Sequence, residues 1–383
     1  VGAGNWQAAG WKENPCGPAF NQSRLKPPAQ GISDIDYAAN FAAFLQKRKA
    51  GEPFCFWAGF TEPHRVFPEG IGVRNGKRLD DVQVPPFLPD SHEVRSDLAD
   101  YAYEVEWYDR HLHRMLAALE RAGELDNTII VVTSDNGMAF PRAKGNLYEY
   151  GVHMPLAIRW GNRVKAGRTV DDFVSFTDFA PAFLEAAGEA APAGITGRGL
   201  LPLLTASGSG QIDAGRDSAV FGIERHFPGS RPGGAGYPSR AIRTREYLYI
   251  RNLTPERNPV GDRPGPVWPS GDPVGGFGDT DGGPAKTYLW QQRARHEELA
   301  RLAFGKRPAE ELYLVTRDPG NLKNLAGTAE HRDAQKRLAA RLQEYLVKTR
   351  DPRASGEGET LDAVMKRFPS VSAAVSVQQE GRK

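Results

Sequence analysis

The sequence has 383 residues, 40% hydrophobic and 25% charged, with a formal net charge of +2. That length allows one large domain and a smaller one. The charge is too balanced for a nucleic-acid binder, which needs a clustered basic face, and no apolar run reaches the roughly 20 residues that span a bilayer. The chain starts at Val1 without a charged-then-apolar leader, so Val1-Gly2-Ala3-Gly4-Asn5-Trp6 reads as the continuation of a longer sequence. Its cysteines, Cys16 and Cys55, match no zinc spacing and are expected to be buried thiols rather than a disulfide.

Residues 1–32, rich in Gly, Pro, Asn and Gln, read as loop. Ser33 and Asp34 are candidate caps for an amphipathic helix over 37–48, with Phe41, Phe44 and Leu45 on one face. The aromatic run 53–60 predicts a buried strand that ends in the polar loop Thr61-Glu62-Pro63-His64-Arg65. From Asp97 to Ala122, Ala102, Val105, Leu112, Met115, Leu116 and Leu119 recur near helical period, and Gly123 is placed to stop the helix. The β-branched run 128–133 predicts a strand buried on both faces of a parallel sheet, and 155–160 a further strand before a helix over 178–187. Strand, helix, strand in this order is the crossover unit of an α/β fold. Short strands at 219–223, 241–243 and 247–250 predict a hairpin-rich second part. The Gly-, Pro- and Asp-rich stretch 254–284 reads as a long surface loop, 332–347 as a helix, and the tail after Asp351 carries little pattern.

Ser134-Asp135-Asn136-Gly137 follows the β-branched strand directly. Ligands in open α/β sheets bind beyond the carboxyl ends of strands. Asp135 and Asn136 offer hard oxygen donors suited to calcium or magnesium, although the same residues are also ordinary turn chemistry. Lys144 comes next, followed by Leu147-Tyr148-Glu149 and Gly151-Val152-His153-Met154-Pro155-Leu156. Together with the helix around Tyr103-Glu104-Val105-Glu106-Trp107-Tyr108-Asp109, this arrangement resembles the sulfatase family. That family carries a Ser-Asp-Asn-Gly turn, a lysine, and a Tyr-Glu-x-Gly-x-x-x-Pro-Leu segment in this order. The second part, with Tyr237-Pro238-Ser239-Arg240, Glu311-Leu312-Tyr313 and Asp318-Pro319-Gly320 through Asn324-Leu325, is nearest to the heparan N-sulfatase group.

The resemblance implies an alkaline-phosphatase-like α/β fold, with a mostly parallel central sheet flanked by helices. It implies a partial catalytic domain over residues 1–228 and a smaller α+β subdomain over 229–370. Asp135 and Asn136 would ligate Ca2+ (or Mg2+), Lys144 would face the sulfate, and His64 would contact the sulfate or protonate the leaving group. Histidine suits that task because it titrates near neutrality. Arg225 and His226 would contact a sulfated or carboxylated sugar, since the guanidinium fork matches such anions. Each has a plainer reading: a solvated loop lysine, a histidine packed on Trp57 or Phe60, and surface charge beside a hairpin.

By the same resemblance the family's nucleophile, a formylglycine, and its paired aspartates lie upstream of Val1, so no nucleophile is nominated here. The chain by itself is expected to hold half a metal site, bind calcium poorly and turn over nothing. Cys16-Gly17-Pro18-Ala19-Phe20 lacks the arginine of a Cys-x-Pro-Ser-Arg signature and is a decoy. His92-Glu93 lacks a second zinc histidine, and His111 and His113 face different sides of a helix. The expected activity is hydrolysis of sulfate esters or sulfamates on glycans, in the periplasm or outside the cell. The alternatives are a phosphodiesterase or phosphonate monoester hydrolase of the same superfamily, and a non-catalytic sugar-binding relative.

Overall fold

In the computed structural model, which describes residues 11–49, 51–269 and 271–366, helix α1 (Tyr37–Lys47) begins at Asp36. The Asp36 carboxylate accepts the Ala39 N–H at 2.9 Å, satisfying a donor that the first turn leaves open. The expected caps are engaged elsewhere: Asp34 pairs with Arg24, and the Ser33 hydroxyl accepts from the Ile35 N–H. A single turn, α2 (Ile71–Arg74), and the 30-residue α3 (His92–Arg121) follow. Helix α3 starts at Ser91, ahead of the expected Asp97, because the Ser91 hydroxyl caps it and Val94 and Leu98 are buried against Phe67, Phe87 and Phe140. It ends at Gly123, whose φ of 70° is the left-handed conformation of a helix terminator. Phe41 of α1 packs on Met115, Ala118 and Leu119 of α3, whereas Val105, expected on the apolar face, is 39% exposed.

The aromatic run 53–60 is extended but forms no strand among the described residues. Phe54, Phe56 and Phe60 pack against α1 and α3, while alternate side chains face out, leaving Trp57 77% exposed. Period-two alternation packs one face and leaves the other open, so the run is not the buried strand expected. Cys55 lies on the outward face, and Cys16 is in an exposed loop; both are free thiols, so neither is buried as expected.

Strand β1 (Ile130–Thr133) is followed by the turn-like α4 (Glu149–Val152) and β2 (Leu156–Arg159). The two strands pair antiparallel, Ile130 opposite Arg159 and Thr133 opposite Leu156. The residues of β1 are all half-buried, so among the described residues this ladder replaces the doubly buried parallel strand that the β-branched run predicted. A strand's own sequence encodes its extended state but not the direction of its neighbour. Helices α5 (Phe179–Ala186) and α6 (Leu201–Thr205) complete the first part.

The second part is a four-stranded antiparallel sheet in the order β3 (Ser218–Ile223), β4 (Ser239–Thr244), β5 (Tyr247–Asn252) and β6 (Glu310–Leu314). Strand β3 precedes the expected boundary at 228/229 and is hydrogen-bonded to β4. Between β5 and β6 lie α7 (Pro284–Gln291) and α8 (Glu297–Phe304). Side chains alternate across the sheet. Ile242, Tyr249 and Leu312 pack on Leu338, Leu342 and Leu346 of α9 (Arg332–Lys348). Ala241, Leu248, Ile250 and Tyr313 on the opposite face receive Leu147 and Tyr148. That second contact anchors the Lys144 loop on the sheet. A last helix, α10 (Gly358–Lys366), lies in the tail that showed little pattern, and Arg353 holds it through Asp362 while also pairing with Glu224.

The stretch 254–284 is irregular up to Pro284 among its described residues, as its composition predicts, but much of it is buried rather than at the surface. Val260, Val274 and Phe277 are buried with Leu289, Ala303 and Phe304. Lys286 of α7 donates to the carbonyls of Gly276, Phe277 and Thr280 and pairs with Asp272, both side chains being 1% exposed. The segment is ordered by tertiary partners, for which a periodicity search has no signal.

Candidate active site

The turn after β1 is shaped by a close approach. A Cβ on Gly137 would stand 1.9 Å from the Tyr150 carbonyl oxygen, and the Gly137 N–H donates to the Gly151 carbonyl at 3.2 Å. The chain then folds back, so that the Lys144 N–H reaches the Met138 carbonyl at 3.1 Å. Lys144 is thereby returned to the turn bearing Asp135 and Asn136. Asp135 is exposed and Asn136 half-buried. Their side-chain oxygens accept no hydrogen bond among the described residues; the Ser134 hydroxyl bonds the Asn136 main-chain carbonyl instead.

Lys144 Nζ lies 3.1 Å from His64 Nε2 and 2.9 Å from Asp281 Oδ2. His64 Nδ1 is 2.7 Å from the Arg65 carbonyl oxygen. The structure thus brings together the two residues nominated for chemistry, which are 80 apart in sequence, and adds a carboxylate that the sequence reading missed. His64 is exposed and does not pack on Phe60, whose ring contacts Tyr37, Tyr108 and His111.

A second histidine, His226, stands against the residue that follows Lys144. Gly145 has φ +76°, and a Cβ there would meet His226 Nδ1 at 3.0 Å and the Asp279 carbonyl oxygen at 3.1 Å. His226 Nδ1 itself is 3.1 Å from that oxygen. His226 and Arg225 line one small cleft with Asn146, Tyr237, Asp279 and Arg307. Arg225 Nη1 donates to the Gly234 and Met365 carbonyls, so part of its guanidinium fastens α10 to the 232–234 turn. Burial holds the Arg225 guanidinium below its ordinary value, with the Asp279 charge opposing. The cleft floor is fixed by Asp279, which pairs with Arg231 at 2.7 Å and accepts from the Phe227 N–H and the Ser230 hydroxyl.

Behind His64 stands a buried polar layer on α3. Arg65 forms a bidentate pair with Asp97, at 2.7 and 2.8 Å, and donates through Nε to the Ala139 carbonyl. Asp100 accepts the N–H groups of Gly70 and Gly72, each at 2.8 Å. Glu62 accepts from the Ser33 N–H and the Tyr37 hydroxyl. Glu104, 1% exposed, has neither oxygen bonded among the described residues. Burial, reinforced by the nearby Glu62 charge, pushes its carboxyl up to about 8.

Asp135 and Asn136 suit a hard divalent cation in donor type, and their oxygens are open to one. Two donors do not fill the six to eight positions of a calcium shell. Among the described residues, no group of three or more His, Cys, Asp or Glu side chains is arranged to hold a metal ion. The pair supplies two of the oxygens that such a shell takes. Asp281 and Asp279 escaped the sequence reading because they sit in an aperiodic Gly-rich stretch. The available signal was the pairing itself, two aspartates flanking Thr280 just ahead of a proline-led helix.

Residues 4–189 match the family described as Sulfatase, and residues 142–253 match the one described as N-sulphoglucosamine sulphohydrolase, C-terminal. The human N-sulphoglucosamine sulphohydrolase is 28% identical over 347 residues, covering 81% of this chain and 63% of that protein. An ulvan-active sulfatase of Formosa agariphila is 27% identical over 285 residues, covering 73% of this chain and 43% of that protein. The chain thus spans less than two thirds of the length of either relative. A solved structure of a protein in complex with its substrate D-glucosamine-2-N,6-O-disulfate superposes with a TM-score of 0.54 at 21% identity, covering 82% of this chain and 69% of that one. The phosphonate monoester hydrolase of Agrobacterium radiobacter superposes at 0.55 and 18% identity, covering 82% and 60%. At these identities the two superpositions speak to fold alone.

Proposed function

Because the chain belongs to the sulfatase family, we propose that it contributes Lys144, His64, Asp135 and Asn136 to a site that hydrolyses sulfate esters or sulfamates of a sulfated glycan. Its fold is the alkaline-phosphatase-like α/β fold with a smaller carboxy-terminal sheet subdomain. The observation that carries the proposal is the Lys144 ammonium beside the His64 imidazole, on a loop whose main chain folds back onto Met138, just past the turn of Asp135 and Asn136.

Cleavage of a sulfate ester or sulfamate builds negative charge on the departing oxygen or nitrogen. In this reading Lys144 holds a nonbridging sulfate oxygen, and His64, once protonated at Nε2, delivers that proton to the departing atom. A divalent cation on Asp135 and Asn136 would supply further positive charge for the sulfate oxygens. The nucleophile in this reading would be a hydrated formylglycine, as the likeness to the family implies. His226, which stands against Gly145 beside Lys144, would meet the sugar from the mouth of the small cleft that it lines with Arg225. The named activity of the human relative favours a sulfated glucosamine as substrate. No helix among the described residues is long and apolar enough to cross a membrane; the reading places the enzyme where it would meet such glycans, in the periplasm or outside the cell.

The test is to express the chain with the coding sequence that precedes Val1 and to measure sulfate release from N- and O-sulfated glucosamine with calcium. Release that falls on Lys144→Ala supports the reading. Hydrolysis of a phosphonate monoester without sulfate release would move it to phosphoester chemistry.

A further inference from the structure

Asp281 reaches the site from a segment that is otherwise devoted to packing. Its side chain is 5% exposed and places Oδ2 2.9 Å from the Lys144 ammonium, itself 12% exposed. Its position is set on both sides. Asp279 is locked to Arg231, and Gly283 lies so close to Arg65 that a Cβ there would come within 2.4 Å of the guanidinium. The carboxylate therefore stands in a fixed frame, rather than on a free loop.

Lysine is an ammonium at neutral pH, with three N–H donors and no lone pair. Toward Asp281 and toward His64 it donates in both directions. His64 Nε2, 3.1 Å away, is then the acceptor and carries no proton. A carbonyl oxygen is an acceptor only, so His64 Nδ1, 2.7 Å from the Arg65 carbonyl, carries the ring proton. One set of protonation states satisfies all three contacts: carboxylate, ammonium and neutral Nδ1–H imidazole. Two of the three Lys144 donors are then occupied, and one remains for an incoming anion.

We infer that Asp281 is a positioning residue, which holds the Lys144 ammonium against His64 Nε2 and so keeps the imidazole in its Nδ1–H form before substrate arrives. Its value for turnover rests on the assignment of Lys144 and His64 to sulfate chemistry, but the arrangement exists without substrate and can be read without it.

The experiment is nitrogen-15 NMR of the imidazole groups in this chain at neutral pH, with His64 assigned by its loss in His64→Gln. The expected spectrum shows His64 with a protonated Nδ1 and a lone-pair Nε2. In Asp281→Asn the amide cannot hold the ammonium as a carboxylate does, so His64 should shift to a mixture of tautomers, and Asp281→Glu should restore the single form. Should Asp281→Asn not fold, Lys144→Met gives the same readout, because it removes the donor that Asp281 orients. A wild-type His64 protonated at Nε2, or a tautomer unchanged in the folded variant, would overturn the inference. Loss of the tautomer in the variants together with no sulfate release from the intact protein would sink the sulfatase assignment of the site and leave the role of Asp281 standing.

Discussion

Arg65 and Asp97 meet as a bidentate ion pair, with side chains 3% and 1% exposed, directly beneath the residue that carries the imidazole of the site. The pair joins four parts of the chain. Arg65 follows His64, Asp97 lies on α3, Arg65 Nε donates to Ala139 in the Lys144 loop, and Asp97 Oδ2 accepts the Ala285 N–H at the start of α7. The guanidinium also lies over the rings of Phe67 and Phe140, at 4.3 and 4.6 Å. A planar fork with five donors suits this arrangement, and lysine would not replace it.

Removing one partner leaves an uncompensated charge in the interior. Asp97→Ala is expected to destabilise the fold by about 3–5 kcal/mol, read as a fall in the urea midpoint with an unchanged slope. Replacing both residues with apolar side chains of similar volume should cost less than the single change. A single variant as stable as the wild type would contradict the role assigned to this pair.

Glu104 gives a pH dependence of unusual sign. Its folded carboxyl is raised to about 8 by burial and by Glu62, against an ordinary value of 4.5. Between those two values the folded state binds a proton that the unfolded state has released. Stability from this group is therefore complete below about pH 4.5 and is lost as pH rises toward 8, by at most about 1.4 kcal/mol per pH unit. Glu104→Gln should flatten that slope, so that relative to the wild type the variant gains more stability at pH 8 than at pH 5. Denaturation curves at the two pH values check this, and an unchanged slope in the variant would contradict it.

The parts of this architecture that were legible in the sequence are those with local causes. Helices α1, α3 and α9 announced themselves by period, and β1 by its β-branched run. What failed was non-local. Residues 53–60 have strand composition, yet Trp57 faces outward because no described strand covers that face. The burial of 254–284 depends on Lys286, Arg231 and Phe304, none of which lies in the Gly-rich stretch itself. The turn at Asp135 and the segments bearing Lys144 and His64 were legible as motifs. Asp281 was not, since a single aspartate in an aperiodic loop carries no mark of its distant partner.

Gly137 is required by space rather than by backbone angle. An added Cβ would lie 1.9 Å from the Tyr150 carbonyl oxygen and 2.8 Å from the Gly151 Cα, so Gly137→Ala must displace one of the two backbones. The expected loss is about 1–3 kcal/mol, as for other overpacked sites. Thermal melts of the variant check it, and a melting temperature equal to that of the wild type would show that the turn has room to spare.

Asp135 and Asn136 offer two oxygens where calcium takes six to eight. Calorimetric titration of this chain should give a calcium dissociation constant no tighter than about 1 mM, in the range of weak extracellular sites. Asp135→Ala should remove the residual heat. Micromolar binding would mean that further ligands lie within this chain.

Whether Lys144 and His64 act on a sulfate group is tested most directly by one assay. Sulfate release from an N-sulfated glucosamine is measured for the protein carrying its upstream sequence and for its Lys144→Ala and His64→Ala variants. The wild type should release sulfate, with turnover lowered about 10²–10³-fold by loss of the ammonium and about 10²–10⁴-fold by loss of the imidazole. Variants that release sulfate as fast as the wild type would contradict the roles given to both residues.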